Sequence, residues 1–332
     1  MRQQSAPHPN SISRRTMLAA AGAAVASPAL AAECPLGPAP HPQGPLVFMN
    51  YDQVELDAAY DNSTYEPLMG QVSQRIDSIS EATRARLGEP QRMAYGPSAI
   101  ERLDIYRTKR ANAPVFVFIH GGRWRNGSAR HGGFAAEMFV DHGAHYVALD
   151  FTNVIEAGGD LRVMAEQVRR GIAWVFKNAG SFGGDASRLY IGGHSSGGHL
   201  CGVALVTDWR EFGLPADTVK GGMCMSGMYD LRPVRLSWRS SYIKFDDAME
   251  HAMSSIRHLD KLNAAVTVTH GTFETPEFQR QGRDFAAALK AAGKKVSHIE
   301  APYAHIESEE SLANPYGLNG RAAIEMMGLA RA

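Results

Sequence analysis

The order of apolar and polar residues divides the chain into a helical start and a longer region in which strands and helices alternate. Residues 52–88 carry acidic side chains on the polar positions of an amphipathic repeat that stops at Gly88, which predicts a helical segment. Further on, short apolar runs alternate with stretches of helical periodicity. Strands are predicted at 102–107, 114–119, 146–149, 189–191, 219–225, 266–269 and 295–299, and helices near 134–142, 160–178, 197–207 and 277–292.

The strand pattern predicts an α/β fold. The run at 114–119 is continuously apolar, which is typical of a strand covered on both faces, whereas 102–107 alternates like an edge or half-buried strand. Buried strands that alternate with helices indicate a mostly parallel central sheet with helices on both faces. In such sheets the functional residues follow the C-terminal ends of the strands, so these are the places to examine.

Composition limits the classes of function. The chain has 332 residues, of which 44% are hydrophobic, and its 34 basic residues balance its 34 acidic ones. No basic block suggests a nucleic-acid partner, and no internal repeat is visible. The three cysteines allow at most one disulfide and show no zinc-site spacing.

The first 32 residues have the features of an export signal. Arg14 and Arg15 precede an uncharged, Ala-rich apolar run that ends in an A-x-A pattern at 29–31. The segment is too short to predict a membrane span, and the arginine pair indicates a twin-arginine-type signal. We therefore expect a periplasmic or secreted protein with a signal peptide at 1–32, a Pro-rich linker at 33–46 and one domain at 47–332.

A glycine-rich motif follows the strand at 189–191. Residues 193–197 read G-H-S-S-G, between that strand and a predicted helix. In this context G-x-S-x-G predicts a tight turn that exposes the hydroxyl of Ser195 as a nucleophile. A flexible glycine loop is the alternative, and the next motif argues against it.

That motif, H-G-G-R-W at 120–124, directly follows the apolar strand at 114–119. Glycines at such a position let backbone N–H groups point into a pocket. Together with the turn at Ser195, this loop predicts an oxyanion hole formed by the N–H groups of Gly122, Arg123 and Ser196.

The remaining catalytic positions follow from chain order, which is nucleophile, acid, then histidine. His305 lies on a loop after the predicted strand at 295–299 and is the better base, while His298 lies inside that strand as a structural residue. Glu274 follows the strand at 266–269 closely and is the preferred acid. Glu277, at a helix start, and Asp230, after the preceding strand, remain alternatives.

These motifs together resemble the α/β-hydrolases, and among them the kynurenine formamidase (arylformamidase)-like esterases. The matching stretches are H-G-G-R-W at 120–124, G-H-S-S-G at 193–197, S-G-M-Y-D-L at 226–231 and E-T-P-E-F-Q-R-Q at 274–281. The resemblance places the family's acid, often Asp, on Glu274. It departs from the family in one respect, since kynurenine breakdown is cytosolic and this chain carries a predicted signal.

The expected function is hydrolysis of carboxylic esters through Ser195, His305 and Glu274 and an acyl-enzyme, without cofactor or metal. The expected partner is a small-molecule ester or activated amide. Arylformamidase activity is the alternative; a non-catalytic binding protein is disfavoured because all three positions are filled. Trp124, Tyr229 and Trp238 are candidate pocket residues, and 232–262 is a possible cap segment.

Overall fold

The computed structural model describes residues 37–329, so the predicted signal peptide at 1–32 lies outside the described residues. Residues 37–46 of the predicted linker contain no helix or strand. Within 37–329 eight strands form one sheet, in the order β1-β2-β4-β3-β5-β6-β7-β8. They are β1 (Gln91–Ala94), β2 (Arg102–Tyr106), β3 (Ala113–Ile119), β4 (His145–Leu149), β5 (Gly184–His194), β6 (Gly221–Met225), β7 (Ala265–Gly271) and β8 (Val296–Ala301).

Ten α-helices in the same range connect or flank these strands, together with short 3-10 turns. They are α1 (Gln53–Ala59), α2 (Met69–Leu87), α3 (Ala136–Asp141), α4 (Leu161–Asn178), α5 (Ser196–Leu205), α6 (Arg232–Leu236), α7 (Asp247–Met253), α8 (Pro276–Ala291), α9 (His305–Glu310) and α10 (Leu318–Met327).

The central strand β3 shows why helices cover both faces of the sheet. Its side chains alternate between two hydrophobic clusters because successive residues of a strand point to opposite faces. Val115 and Val117 join the cluster that contains apolar residues of α4, α5 and α8. Phe116 and Phe118 join the other cluster, which contains residues of α3 and α10. A strand buried on both sides has no polar face, which explains its uninterrupted apolar sequence.

The pairing confirms the predicted fold class. Strands β4, β3, β5, β6, β7 and β8 run parallel to one another, and the pairs β1–β2 and β2–β4 at one side of the sheet are antiparallel. The result is a mostly parallel sheet with helices on both faces. Its C-terminal strand ends bring together the loops that follow β3, β5, β7 and β8.

The prediction of one helical segment over 52–88 was wrong in its middle. Helix α1 ends at Ala59, and a short 3-10 turn capped by the side chain of Asp61 separates it from α2. Pro67 disfavours helical backbone at the residue before it, so α1 and α2 do not join into one helix. Glu66, expected on a polar face, is buried with 5% of its surface exposed. The predicted stop at Gly88 is the C-cap of α2, with φ of 84°.

The predicted edge position of strand 102–107 was also wrong. This strand is β2, and four of its five residues are buried because β1 pairs with its outer side. β1 itself has the sequence Gln-Arg-Met-Ala, which carries no apolar alternation that a sequence pattern could detect.

The segment at 232–262 inserts α6, α7 and short 3-10 turns between β6 and β7. Met249 and Met253 of α7 are buried in the main hydrophobic cluster. Among the helices of residues 37–329, none combines the length and apolar character that crossing a membrane requires.

Candidate active site

Ser195 lies in a strained turn between β5 and α5. Its backbone has φ of 57° and ψ of −122°, a conformation rare for residues other than glycine. Strand β5 ends at His194 and α5 begins at Ser196, so the chain reverses direction at this single residue. Ser195 retains 6% exposure where its neighbours in the turn are almost completely buried. This is the geometry expected of a nucleophile elbow.

The glycines of the motif are required by close backbone approaches. A Cβ atom at Gly193 would lie 2.3 Å from the carbonyl oxygen of Gly197. A Cβ atom at Gly197 would lie 2.0 Å from the carbonyl oxygen of Ile119, in β3. Any side chain at either position would therefore collide with a backbone carbonyl group, and these carbonyl groups are fixed by the turn and the adjacent strand.

His305 and Glu274 form a buried hydrogen-bonded pair next to this turn. His305 is the first residue of α9, after β8, and Glu274 lies between β7 and α8. Nδ1 of His305 is 2.9 Å from Oε1 of Glu274, and both side chains are at most 3% exposed. The His305 ring lies 4.5 Å, between centroids, from the ring of His194, the residue before Ser195. In residues 37–329 the hydroxyl of Ser195 makes no hydrogen bond, as is common for catalytic groups without substrate.

The surroundings of His305 favour its neutral form. Burial, followed by the charge of His194, lowers the pKa of His305 to about 4. Burial alone would raise the pKa of Glu274, but the hydrogen bond with His305 and the interactions with Ser226 and His194 together outweigh burial and lower it. A neutral imidazole beside an ionised carboxylate is the starting state of a general base.

The other candidate acids and the other candidate base have different partners. Glu277 accepts hydrogen bonds from the hydroxyl of Tyr60 and the guanidinium of Arg280. Asp230 pairs with Arg257 at 2.8 Å. His298 lies on the outermost strand β8, with Nε2 3.3 Å from Nδ1 of His270.

The loop after β3 has the backbone shape expected of an oxyanion hole. Gly122, Arg123 and Trp124 have φ values of 108°, 59° and 60°, three left-handed residues in succession. The N–H of Trp124 donates to the hydroxyl of Ser196 at 3.0 Å, which fixes this loop to the start of α5. The N–H groups of Gly122, Arg123 and Ser196 donate to no acceptor within residues 37–329, so they are free to bind an oxyanion.

The three candidate pocket residues lie in different environments. Trp124 is 1% exposed, and its indole N–H donates to Nδ1 of His199 at 3.1 Å. Tyr229 is completely buried and stacks on Phe285 with 4.1 Å between ring centroids, and its role as a pocket residue stays a prediction. Trp238 is partly buried in the inserted segment and contacts Tyr242.

A cleft of about 360 Å³ lies beside the oxyanion loop. Its lining includes the backbone of Gly121 and Gly122 together with His131, Ile306 and Glu309. Sequence reasoning did not find this cleft, because its walls come from loops and helices far apart in the chain.

Two further acidic residues near His305 were also missed. Glu309 lies one turn after His305 on α9, and its Oε2 is 3.3 Å from Nδ1 of His194. Glu66 accepts the N–H of Ile306 at 3.1 Å, and burial raises its pKa to about 7. The position of His194 beside Ser195 was visible in the motif, but nothing in the sequence connected it to Glu309.

Two sets of side chains in the described residues come close enough to surround an ion. Potential ligand atoms of His194, Glu274 and His305 lie within 4.8 Å of one another, and so do those of a second set at the sheet edge, His270, His298 and Glu300. In the first set each imidazole already has a carboxylate partner at Nδ1. We assign a metal to neither set, and the absence of a metal cofactor stays a prediction.

Comparison with known proteins gives the same class of fold. The BD-FAE family model matches residues 103–220. The kynurenine formamidase of Danio rerio is 29% identical over 294 residues, which cover 84% of this chain and 97% of that protein. Esterase LipC of Mycobacterium tuberculosis is 26% identical over 64% of this chain and 58% of its own length. The crystal structure of a thermostable esterase from Pseudomonas putida matches 81% of this chain and 94% of its own, with 19% identity and a TM-score of 0.61.

The sheet, the turn at Ser195 and this structural likeness together show the class of fold: the chain has the α/β-hydrolase fold. Within that class it is similar to the kynurenine formamidases and to esterases, as the motifs at 120–124 and 193–197 predict. The expectation of a hydrolase is thereby confirmed.

Proposed function

We propose that this chain is a carboxylic ester hydrolase in which Ser195 is the nucleophile, His305 the general base and Glu274 the residue that orients the base. The observation that carries the proposal is the buried hydrogen bond of 2.9 Å between Nδ1 of His305 and Oε1 of Glu274, beside the strained turn at Ser195. This bond leaves Nε2 of His305 as the nitrogen that can take a proton from the serine.

The reaction proceeds in two halves. Oγ of Ser195 attacks the ester carbonyl carbon while Nε2 of His305 takes the hydroxyl proton. The tetrahedral intermediate collapses, the bond to the alcohol oxygen breaks, and His305 donates its proton to that oxygen. Water then attacks the acyl-enzyme with His305 again as the base, which releases the carboxylic acid and restores Ser195. Glu274 holds the ring in one tautomer and stabilises its charged form during both halves.

The negative charge of each tetrahedral intermediate falls on the former carbonyl oxygen. The free N–H groups of Gly122, Arg123 and Ser196 are the proposed donors to this oxygen. Each such donor lowers the barrier by roughly 3 kcal/mol in enzymes where one has been removed. The strain of three successive left-handed residues fits a loop shaped for this purpose.

The second candidate is arylformamidase activity, which the same residues would perform on a formamide. It is favoured by similarity to the kynurenine formamidase of Danio rerio along nearly the whole of that protein. The predicted signal at 1–32 favours an ester met outside the cytoplasm instead. We therefore propose that the protein is exported to the periplasm or the medium and that its substrate is an ester.

The test is kcat/KM of the purified protein on a short-chain aryl ester and on N-formylkynurenine, with Ser195→Ala as the blank. The ester hydrolase proposal predicts that the ester is preferred by orders of magnitude. A clear preference for the formamide would make the chain a formamidase. Turnover that persists in Ser195→Ala, or none in the wild type, would refute the catalytic proposal.

A further inference from the structure

The His305–Glu274 pair is not the only buried pair of imidazole and carboxylate at this site. His194 and Glu309 form a second one, with Nδ1 of His194 3.3 Å from Oε2 of Glu309. The His194 side chain is 1% exposed and that of Glu309 5%. The two imidazole rings, His194 and His305, lie 4.5 Å apart at an angle of 48°. The protein therefore places two histidine–glutamate pairs in contact, and the reaction proposed above uses only one.

The second pair lies at the inner end of a row of ionisable groups that begins at the surface. Asp77, whose side chain is 64% exposed, is 2.7 Å from Nδ1 of His131. Nε2 of His131 is 4.0 Å from Oε1 of Glu309, a separation that one water molecule can bridge. His131 and Glu309 also line the cleft beside the oxyanion loop. This row connects the exposed Asp77 to the buried pair of His194 and Glu309.

The charges around His194 favour its protonated form. Burial opposes a charge on the ring, but Glu309, together with Glu274 and the backbone of His305, outweighs burial and raises the pKa of His194. The charge of His194 in turn overcomes the burial of Glu309 and lowers the pKa of that carboxyl to about 2. The ionisable groups that face this pair come from five places in the fold: Glu66 before α2, His120 and His131 after β3, Tyr146 on β4, Glu274 after β7, and His305 on α9.

We propose that the His194–Glu309 ion pair holds a positive charge against the ring of His305 and thereby keeps this base unprotonated, and able to act, in acidic solution. His194 and Glu309 are positioning residues, because neither touches the reacting atoms. This inference rests on the proposed function, in which His305 is the base. Coulomb repulsion between two imidazolium rings at this separation is strong at the effective dielectric constants of buried sites. This repulsion raises the free energy of the free enzyme with His305 protonated. That protonated form is inactive, because its His305 cannot accept a proton.

The test is the pH dependence of kcat/KM on a neutral aryl ester between pH 3.5 and 8. Below the pKa of the base the rate falls, so the midpoint of this acidic limb reports the protonation of His305 in the free enzyme. Glu309→Gln removes the carboxylate that stabilises charged His194, and His194→Gln removes the charge itself. Both variants are expected to move the midpoint to higher pH by about one unit or more.

Two variants serve as matched controls. Glu309→Asp keeps a carboxylate and is expected to hold the midpoint near the wild-type value. Glu310→Gln makes the same chemical change one residue further on, at a side chain that pairs with Arg75 on the surface, and is expected to leave the midpoint unchanged. Midpoints that stay fixed in Glu309→Gln and His194→Gln, even with a reduced rate, would overturn the proposal.

A measurement on the wild-type protein decides the matter if these variants fail to fold. Ring nitrogen-15 chemical shifts distinguish doubly protonated from neutral imidazole. At pH 6 we expect the His194 ring to be doubly protonated and the His305 ring to be neutral. A neutral His194 at that pH would overturn the proposal without touching the assignment of Ser195, which the loss of activity in Ser195→Ala tests separately.

Discussion

The two buried histidine–glutamate pairs are built from the same residue types, but the pKa values of their imidazole rings are shifted in opposite directions. His305 and Glu274 are joined by a bond of 2.9 Å, and His194 and Glu309 by one of 3.3 Å. Burial and a neighbouring cation lower the pKa of His305 to about 4, whereas the pKa of His194 is raised by Glu309. Each pair has one carboxylate, so the carboxylate alone does not decide the charge of the ring.

We attribute the difference to repulsion between the two rings, which lets one of them carry an extra proton but not both. Two imidazolium rings 4.5 Å apart repel each other, so the first proton excludes the second. Glu309 is itself buried, so the positive charge of a protonated His194 beside it stabilises its carboxylate. In the proposed account the proton therefore resides on His194, and His305 is left as the base.

The largest expected effect that separates the pairs is on the rate at neutral pH. Glu274→Gln leaves a ring without its orienting carboxylate and is expected to lower kcat by about 10⁴-fold, by analogy with the acid of other catalytic triads. Glu309→Gln is expected to change kcat at pH 8 by less than about tenfold, since His305 is neutral there in either case. Steady-state kinetics on an aryl ester at pH 8 measures both.

Asp230→Asn is the control for that comparison, because Asp230 was the alternative acid and pairs with Arg257 at 2.8 Å. We expect its kcat to stay within about threefold of the wild type. A larger loss in Asp230→Asn than in Glu274→Gln would contradict the assignment of the acid.

A smaller effect concerns stability. The folded-state pKa of His305, about 4, lies below the ordinary value of 6.5, so between these pH values the unfolded chain binds a proton that the folded chain does not. Stability from this group is therefore lost as the pH falls from 6.5 towards 4, by roughly 3 kcal/mol. His305→Gln is expected to show a smaller decrease of Tm than the wild type between pH 7 and 4.5. An equal decrease in both would show that His305 does not titrate in this way, and His251→Gln, at an exposed histidine, provides the reference.

Much of the fold was predictable because the central strands are buried on both faces. β3 is continuously apolar, and the strand ends at 120–124 and 193–197 carry motifs with steric requirements that only glycine meets. β1 was not predictable, since a short polar strand at the side of a sheet needs no hydrophobic pattern. The break in the first helical segment depends on the cap at Asp61 and on Pro67, which are local signals that the amphipathic repeat obscures.

The residues of the candidate site that chain order and motif context identify were predictable from the sequence. Ser195, Glu274 and His305 follow from these rules, and the structure brings the last two into contact. The partnership of His194 with Glu309 was not, because it joins a strand end to a helix whose sequence, His-Ile-Glu-Ser-Glu-Glu, looks like a solvated surface. Only the tertiary packing shows which of those three glutamates is buried.

The most direct test of the central claim is the identity of the nucleophile. The wild-type protein is incubated with a fluorophosphonate, which phosphonylates activated serine hydroxyls, and the modified peptide is located by mass spectrometry. We predict one phosphonyl group per chain, on Ser195, and none in Ser195→Ala. Label on another residue, or an active wild-type enzyme that takes up no label, would contradict the account.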